Sequence, residues 1–173
     1  MKNIIPLLSA ALFVLSSCNQ HIHPSKSDST KTDTVSSPAA EQSQGKPLFA
    51  TMQIKDNSKD QVKLKFTVYN QADSVQHFCK WHTPFEPLMS KYLEIKDENG
   101  EEAAYQGPMA KRMMPPPADS YLKVNPGDSL SVDVDVSKGY AIKKAGKYTI
   151  SYTGQNMSGL IVKDSVVLVY PKP

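Results

Sequence analysis

Cysteine is scarce in this 173-residue chain, with Cys18 and Cys79 the two examples. Tryptophan occurs once, at Trp81, and arginine once, at Arg112, so every other strong base is a lysine. Each scarcity excludes something. Two cysteines cannot build the framework of bridges on which small secreted scaffolds rely when their cores are insufficient. No apolar run approaches the roughly 20 residues needed to cross a bilayer as a helix. The formal net charge is only +3, and no basic stripe interleaves with aromatics to follow a phosphate backbone, which removes nucleic acid as a partner. Serines are plentiful, but no Gly-x-Ser-x-Gly elbow holds one as a nucleophile, and neither cysteine has a recognisable histidine context. The sequence therefore reads as a non-enzyme without a cofactor.

The amino terminus is informative. Lys2 supplies a positive start, and an apolar stretch over residues 4–15 is interrupted only by Pro6 and Ser9. Residues 1–17 read as a signal peptide. The segment Leu15-Ser16-Ser17-Cys18 resembles the bacterial lipobox, which implies that Cys18 is acylated and becomes the mature amino terminus. At about 0.8 kcal/mol per buried methylene, more than one acyl chain makes attachment to the membrane effectively permanent. Cys79 is then left without an internal disulfide partner. Residues 18–46 comprise this cysteine and a linker rich in Ser, Thr, Gln, Lys and Pro, with Ile22 and Val35 its only large aliphatic residues. Such a segment cannot offset its ordering entropy and is expected to be a disordered tether, with a typical reach of about 30 Å. Asn19 is not the aspartate that retains some bacterial lipoproteins at the inner membrane. The expected location is the cell envelope, at the outer membrane.

Residues 47–173 change character, with short runs of period-two alternation separated by turn signals. Over residues 61–70, Val62, Leu64, Phe66 and Val68 share one face, and Lys63, Lys65 and Thr67 the other. Over 129–136, Leu130, Val132, Val134 and Val136 point inward, and Ser131, Asp133 and Asp135 outward. Both patterns suit a sheet with one wet face. Further strands are expected over 48–55, 75–81, 92–97, 121–124, 147–152 and 162–170. The pairs Asn99-Gly100, Pro126-Gly127, Lys138-Gly139 and Ala145-Gly146 read as turns. No stretch of eleven residues holds a helical apolar period unbroken by Gly or Pro. The fold class is all-β, an antiparallel immunoglobulin-like β-sandwich of seven or eight strands.

Several words then occur in a fixed order: Lys80-Trp81-His82-Thr83-Pro84-Phe85-Glu86, Asp97-Glu98-Asn99-Gly100, Tyr105-Gln106-Gly107-Pro108-Met109-Ala110-Lys111-Arg112, Pro126-Gly127-Asp128-Ser129 and Gly146-Lys147-Tyr148. Together they resemble the non-catalytic β-sandwich pro-region that precedes the zinc protease domain of the deuterolysin and peptidyl-Lys metalloendopeptidase (aspzincin) family. The resemblance covers roughly residues 48–170. It implies an accessory module that covers a protease domain or helps it fold. It does not imply peptidase activity, because the His-Glu-x-x-His helix that would hold zinc is missing: His21, His23, His77 and His82 all lie outside such a motif. The strand Leu64-Lys65-Phe66-Thr67-Val68-Tyr69-Asn70, the Asp97–Gly100 hairpin, the Pro126-Gly127-Asp128 turn and the Gly146-Lys147-Tyr148 strand are also similar to bacterial proteinase-inhibitor domains with immunoglobulin-like folds.

The candidate binding or clasp residues are Trp81, Thr83, Pro84, Phe85, Glu86, Tyr105, Lys111 and Arg112. Trp81 through Glu86 leave a strand for a loop, and Pro84 forces Thr83 into an extended conformation. This is a core anchor at a loop corner, or else a loop presenting Phe85 to a partner. Arg112 is read as paired with Glu86, because a guanidinium holds a carboxylate through two parallel bonds that lysine cannot imitate. The alternative is direct recognition of a partner. His77, Cys79, His82, Met109, Met113 and Met114 include ligand types that suit Cu(I). On a strand, however, His82 starts opposite His77 and Cys79, so no metal site is assigned and Cys79 is read as a small buried side chain. The functional expectation is a membrane-anchored binding module that engages a secreted protease or a peptide. The alternatives are a structural envelope lipoprotein that binds another component through a strand edge and a periplasmic copper-handling protein.

Overall fold

The computed structural model describes residues 46–58 and 60–171. The signal peptide at 1–17, the lipidation site Cys18 and nearly all of the linker lie outside the described residues. Eight strands run in chain order: β1 (Phe49–Asn57), β2 (Val62–Tyr69), β3 (Gln76–Cys79), β4 (Leu93–Asp97), β5 (Tyr121–Val124), β6 (Ser129–Asp135), β7 (Gly146–Tyr152) and β8 (Val166–Tyr170). They form one sheet in the order β1-β2-β6, a second in the order β4-β7-β8 and a short ladder of β3 with β5. All of these pairings are antiparallel. The strand sets match the A-B-E and C-F-G sets of an immunoglobulin sandwich.

Alternation along β2 builds the interior. Val62, Leu64, Phe66 and Val68 are fully buried and join Leu93 and Ile95 of β4, Ile150 of β7 and Leu168 of β8 in one apolar cluster. The Phe66 ring meets Tyr152 from the second sheet at 5.4 Å. A parallel bridge ties Phe49 to Ile161 in the segment leading to β8, and a bond from Asn57 Nδ2 to the Val169 carbonyl at 2.8 Å joins the two sheets on the same side.

Tyrosines fasten the turns between strands. The Tyr148 hydroxyl, at the start of β7, donates to the Lys144 carbonyl at 2.9 Å, the local bond of a tyrosine corner. The buried Tyr140 hydroxyl accepts from the backbone N–H groups of Tyr92 (3.3 Å) and Leu93 (3.0 Å). Burial raises the Tyr140 hydroxyl pKa to about 12, so it remains a neutral phenol.

The strand runs read from sequence are present, with four differences. The run expected over 75–81 ends at Cys79, so Lys80 and Trp81 lie in the turn that follows. Residues 162–165 are not strand; they carry Lys163, Asp164 and Ser165, which break the apolar alternation. Residues 155–158 form a single helical turn, Gln155–Ser158, too short to show an apolar period. On β6, Leu130 and Val132 are only half-buried although Val134 is buried, because among the described residues no strand covers the outer side of β6. Gly139 also departs from its expected reason: its φ is −124°, which does not call for glycine, and a Cβ there would press on the Leu88 side chain, 2.8 Å from its Cδ2.

Phe66→Ala removes the ring shared by both sheets and should cost about 3–5 kcal/mol. Urea unfolding with an unchanged m-value checks this, and a loss below about 1 kcal/mol contradicts the central position given to Phe66.

Candidate functional site

β3 ends at Cys79 and the chain turns sharply over residues 80–86. Thr83 organises this turn from inside. It is fully buried, its Oγ1 donates to the Lys80 carbonyl at 2.6 Å and accepts from the Phe85 N–H at 3.1 Å. The Glu86 N–H closes the turn on the Thr83 carbonyl at 3.1 Å. His82 sits at φ +56°, a left-handed conformation that a non-glycine residue adopts only when its surroundings hold it. The Tyr152 hydroxyl holds it, lying 3.0 Å from the His82 carbonyl and 2.7 Å from Ser158 Oγ. Gly154 is obligatory in this contact, since a Cβ there would lie 2.1 Å from the same carbonyl. Phe85 packs edge-on against Phe66 and Phe78, so it belongs to the core margin rather than to a freely presented loop.

Against this turn lies the segment 105–112. The Tyr105 hydroxyl is 2.6 Å from the Leu88 carbonyl and 2.8 Å from that of Pro108, and the Ala110 N–H donates to the Met89 carbonyl at 2.9 Å. The third tie is Arg112, whose Nη2 bonds Glu86 Oε2 while the guanidinium carbon stands 4.7 Å from the centre of the Trp81 ring. The Arg112 and Glu86 side chains are only 17% and 18% exposed, and Arg112 Nε is buried and has no hydrogen-bond partner among the described residues. A cation over an indole contributes about 0.5–2 kcal/mol, more as water is removed. Lysine would lose both the planar stack and the directed bond.

The same turn also holds the chain on the far side of Arg112. The Lys80 N–H donates to the Ser120 carbonyl at 2.8 Å and its Nζ to the Asp119 carbonyl at 3.0 Å. The loop 113–117 is thereby anchored at both ends on one turn, through Arg112 before it and Asp119–Ser120 after it. Between those anchors Met113 is 82% and Met114 67% exposed, and Met109, just before them, is 68% exposed.

Of the residues singled out in the sequence, the structure brings together Trp81, Glu86 and Arg112, with Thr83, Pro84 and Phe85 beneath them and Tyr105 at the far end of the segment. Lys111 is exposed and forms no ion pair among the described residues. His77 is exposed whereas Cys79 is buried, and among the described residues no three His, Cys, Asp or Glu side chains gather as a metal-binding group. Burial raises the Cys79 thiol pKa, which keeps it protonated and unreactive. Tyr152, Gly154 and Ser158 escape sequence reasoning, because they act on a backbone carbonyl 70 residues away from Tyr152. The run Tyr152-Thr153-Gly154 is the only local hint.

Arg112→Lys should lower stability by about 1–2 kcal/mol. A double-mutant cycle with Glu86→Gln isolates the coupling, and an unchanged melting temperature for the lysine variant sinks the clasp. The His82 pKa is lowered, first by burial and then by the Arg112 charge, against an opposing pull from Glu86. The native state therefore binds fewer protons than the unfolded chain below the ordinary histidine value of about 6.5, and stability rises with pH through that region. His82→Asn, which tolerates the positive φ, should flatten this slope in melts from about pH 5 to 7.

The model of the immunoglobulin-like domain family matches residues 50–164, more than half of the chain. The chain is similar to an extracellular protease of Aeromonas hydrophila, with 29% identity over 105 residues that make up 61% of this chain and 30% of that protein. It is also similar to a neutral protease 2 homolog of Arthroderma gypseum, with 25% identity over 109 residues, 62% of this chain and 29% of that protein. The chain thus spans less than a third of the length of these curated relatives. What is shared is a non-catalytic, pro-region-like stretch, in keeping with the resemblance carried by the ordered words of the sequence. On the match over residues 50–164, the chain belongs to the immunoglobulin-like domain family.

Proposed function

We propose that this chain is a non-enzymatic binding module, held at the outer membrane by lipid on Cys18, whose Trp81–Arg112 end engages a secreted protease or a peptide. The observation that carries this reading is the loop 113–117, anchored at both ends on the 80–86 turn with its methionines bare. Methionine and arginine are enriched where proteins meet, and methionine adapts its shape to irregular partners. A loop already held in place loses less freedom on binding than a mobile one. The likeness to two proteases supports a protease as the partner class, because in those proteins a related stretch shares a chain with a protease. The lipobox-like Leu15-Ser16-Ser17-Cys18 supports the membrane attachment, and the absence of a His-Glu-x-x-His sequence supports a role without catalysis.

The purified full chain should bind or inhibit a neutral protease 2-type enzyme. Met113→Glu with Met114→Glu should weaken the complex about tenfold or more without moving the melting temperature. No complex and no inhibition would remove the protease from the proposal. Mass spectrometry of the amino-terminal peptide of the envelope protein should find Cys18 as the first residue and carrying acyl chains, and a mature protein with an unmodified Cys18 contradicts the lipid anchor.

A further inference from the structure

The outer side of β6 is a second surface. β6 ends the sheet β1-β2-β6, and β5, which precedes it in the chain, pairs with β3 instead. Hydrogen bonding shows which residues of β6 have free backbone groups. The register runs from Lys63↔Asp135 to Tyr69↔Ser129, so one step further Asn70 faces Asp128, and the Asn70 N–H donates to the Asp128 carbonyl at 3.0 Å. In an antiparallel ladder such bonded pairs alternate with non-bonded ones. Leu130, Val132 and Val134 therefore turn their N–H and C=O toward β2, and Ser129, Ser131 and Asp133 turn theirs away. The same parity holds across β1, where the Ala50 N–H points away from β2 and reaches the Ile161 carbonyl at 2.8 Å. The outward groups of Ser131 and Asp133 meet no backbone partner among the described residues.

The side chains along this edge say what would fit it. On the core side Leu130 and Val132 are half-buried, leaving apolar surface that a neighbouring strand would cover. On the solvent side stand Ser131 and Asp133, both exposed. Asp135 is already engaged, its carboxylate accepting from the Val62 and Ser137 N–H groups and the Ser137 hydroxyl. Asp133 forms no ion pair among the described residues, even though Lys65 faces it across the ladder. Natural edges are commonly blunted by charged side chains, lysine above all, by proline or by bulges; β6 has no lysine, proline or bulge, and its exposed charge is the single carboxylate of Asp133.

We propose that the free edge of β6 accepts an extended segment of a partner protein as an added strand, in which apolar residues alternate with basic or hydroxyl residues. Its backbone bonds go to Ser131 and Asp133, its apolar side chains cover Leu130 and Val132, and a basic side chain meets Asp133. Main-chain bonds supply affinity and the alternating side chains supply selectivity, as in other strand additions. This surface does not rest on the protease reading of the Trp81 end and would stand if that reading failed.

The test uses the purified full chain and a fluorescein-labelled heptapeptide, Lys-Val-Thr-Val-Lys-Val-Thr, with a counterpart carrying Glu for Lys, measured by fluorescence polarisation. The lysine peptide should bind the wild type at least about tenfold tighter than the glutamate peptide. Ser131→Pro deletes an outward N–H and leaves the β2 ladder intact, as edge positions permit. Compared with Ser131→Ala, which equally loses the 2.9 Å hydroxyl contact with Thr67, it should weaken the lysine peptide about tenfold. Asp133→Lys should reverse the preference between the two peptides. Amide exchange at Ser131 and Asp133 should slow when the lysine peptide is added. Absence of binding by the lysine peptide, equal affinity of the proline and alanine variants, an unreversed preference, or unchanged exchange would each overturn the proposal.

Discussion

Val62, Leu64, Phe66 and Val68 on one face of β2 are completely removed from solvent, and most of the remaining architecture is placed by what it contributes to covering them. β1 and β6 flank β2 in its sheet, while β4, β7 and β8 bring Leu93, Ile95, Ile150 and Leu168 to the same cluster. Burial of this kind has no direction of its own. Orientation comes from polar groups at the margins, such as the Tyr148 hydroxyl on Lys144 and the Tyr140 hydroxyl on two successive amides. A phenol suits this work because its ring enters the core and its oxygen satisfies a backbone group that would otherwise be buried unpaired.

The Trp81 end inherits its rigidity from that core. Phe85 rests on Phe66 and Phe78, so the 80–86 turn is fixed from below, and the Tyr152–Ser158 pair secures its strained His82 carbonyl. The turn then acts as a post for a segment that has few strand contacts of its own. Arg112 is stacked and paired on it, and Lys80 holds residues 119 and 120. One element thus positions both ends of the methionine–proline loop. The β6 edge is exposed for a different reason, namely that β5 pairs with β3 and leaves the first sheet one strand short on that side.

Legibility in the sequence tracked the range of each interaction. Alternation over β2 was plain because it is a property of neighbouring residues, and all four inward residues are buried. The same pattern over β6 marked Leu130 and Val132 as inward but did not reveal that they are half-exposed, since that depends on which strand lies next door. The singular Arg112 and the Trp-x-Thr-Pro-x-Glu word drew attention to a common region, and the structure places Trp81, Glu86 and Arg112 in contact. The role of Gly154 was hidden. Nothing near it in sequence announces that its missing Cβ makes room for the carbonyl of His82.

What the sequence by itself determined is the class of fold, the positions of the strands and the family likeness, because these arise from periodicity, turn residues and the order of local words. Tertiary structure alone decided which side chains of distant segments meet. Glu86 and Arg112 are 26 residues apart, and Tyr152 reaches a carbonyl 70 residues earlier, separations that no local pattern encodes. It also decided that β5 sits on β3 and leaves β6, among the described residues, at the edge of its sheet. Strand pairing depends on how the whole set of apolar faces is covered at once, and several pairings can satisfy the same alternation in any single strand.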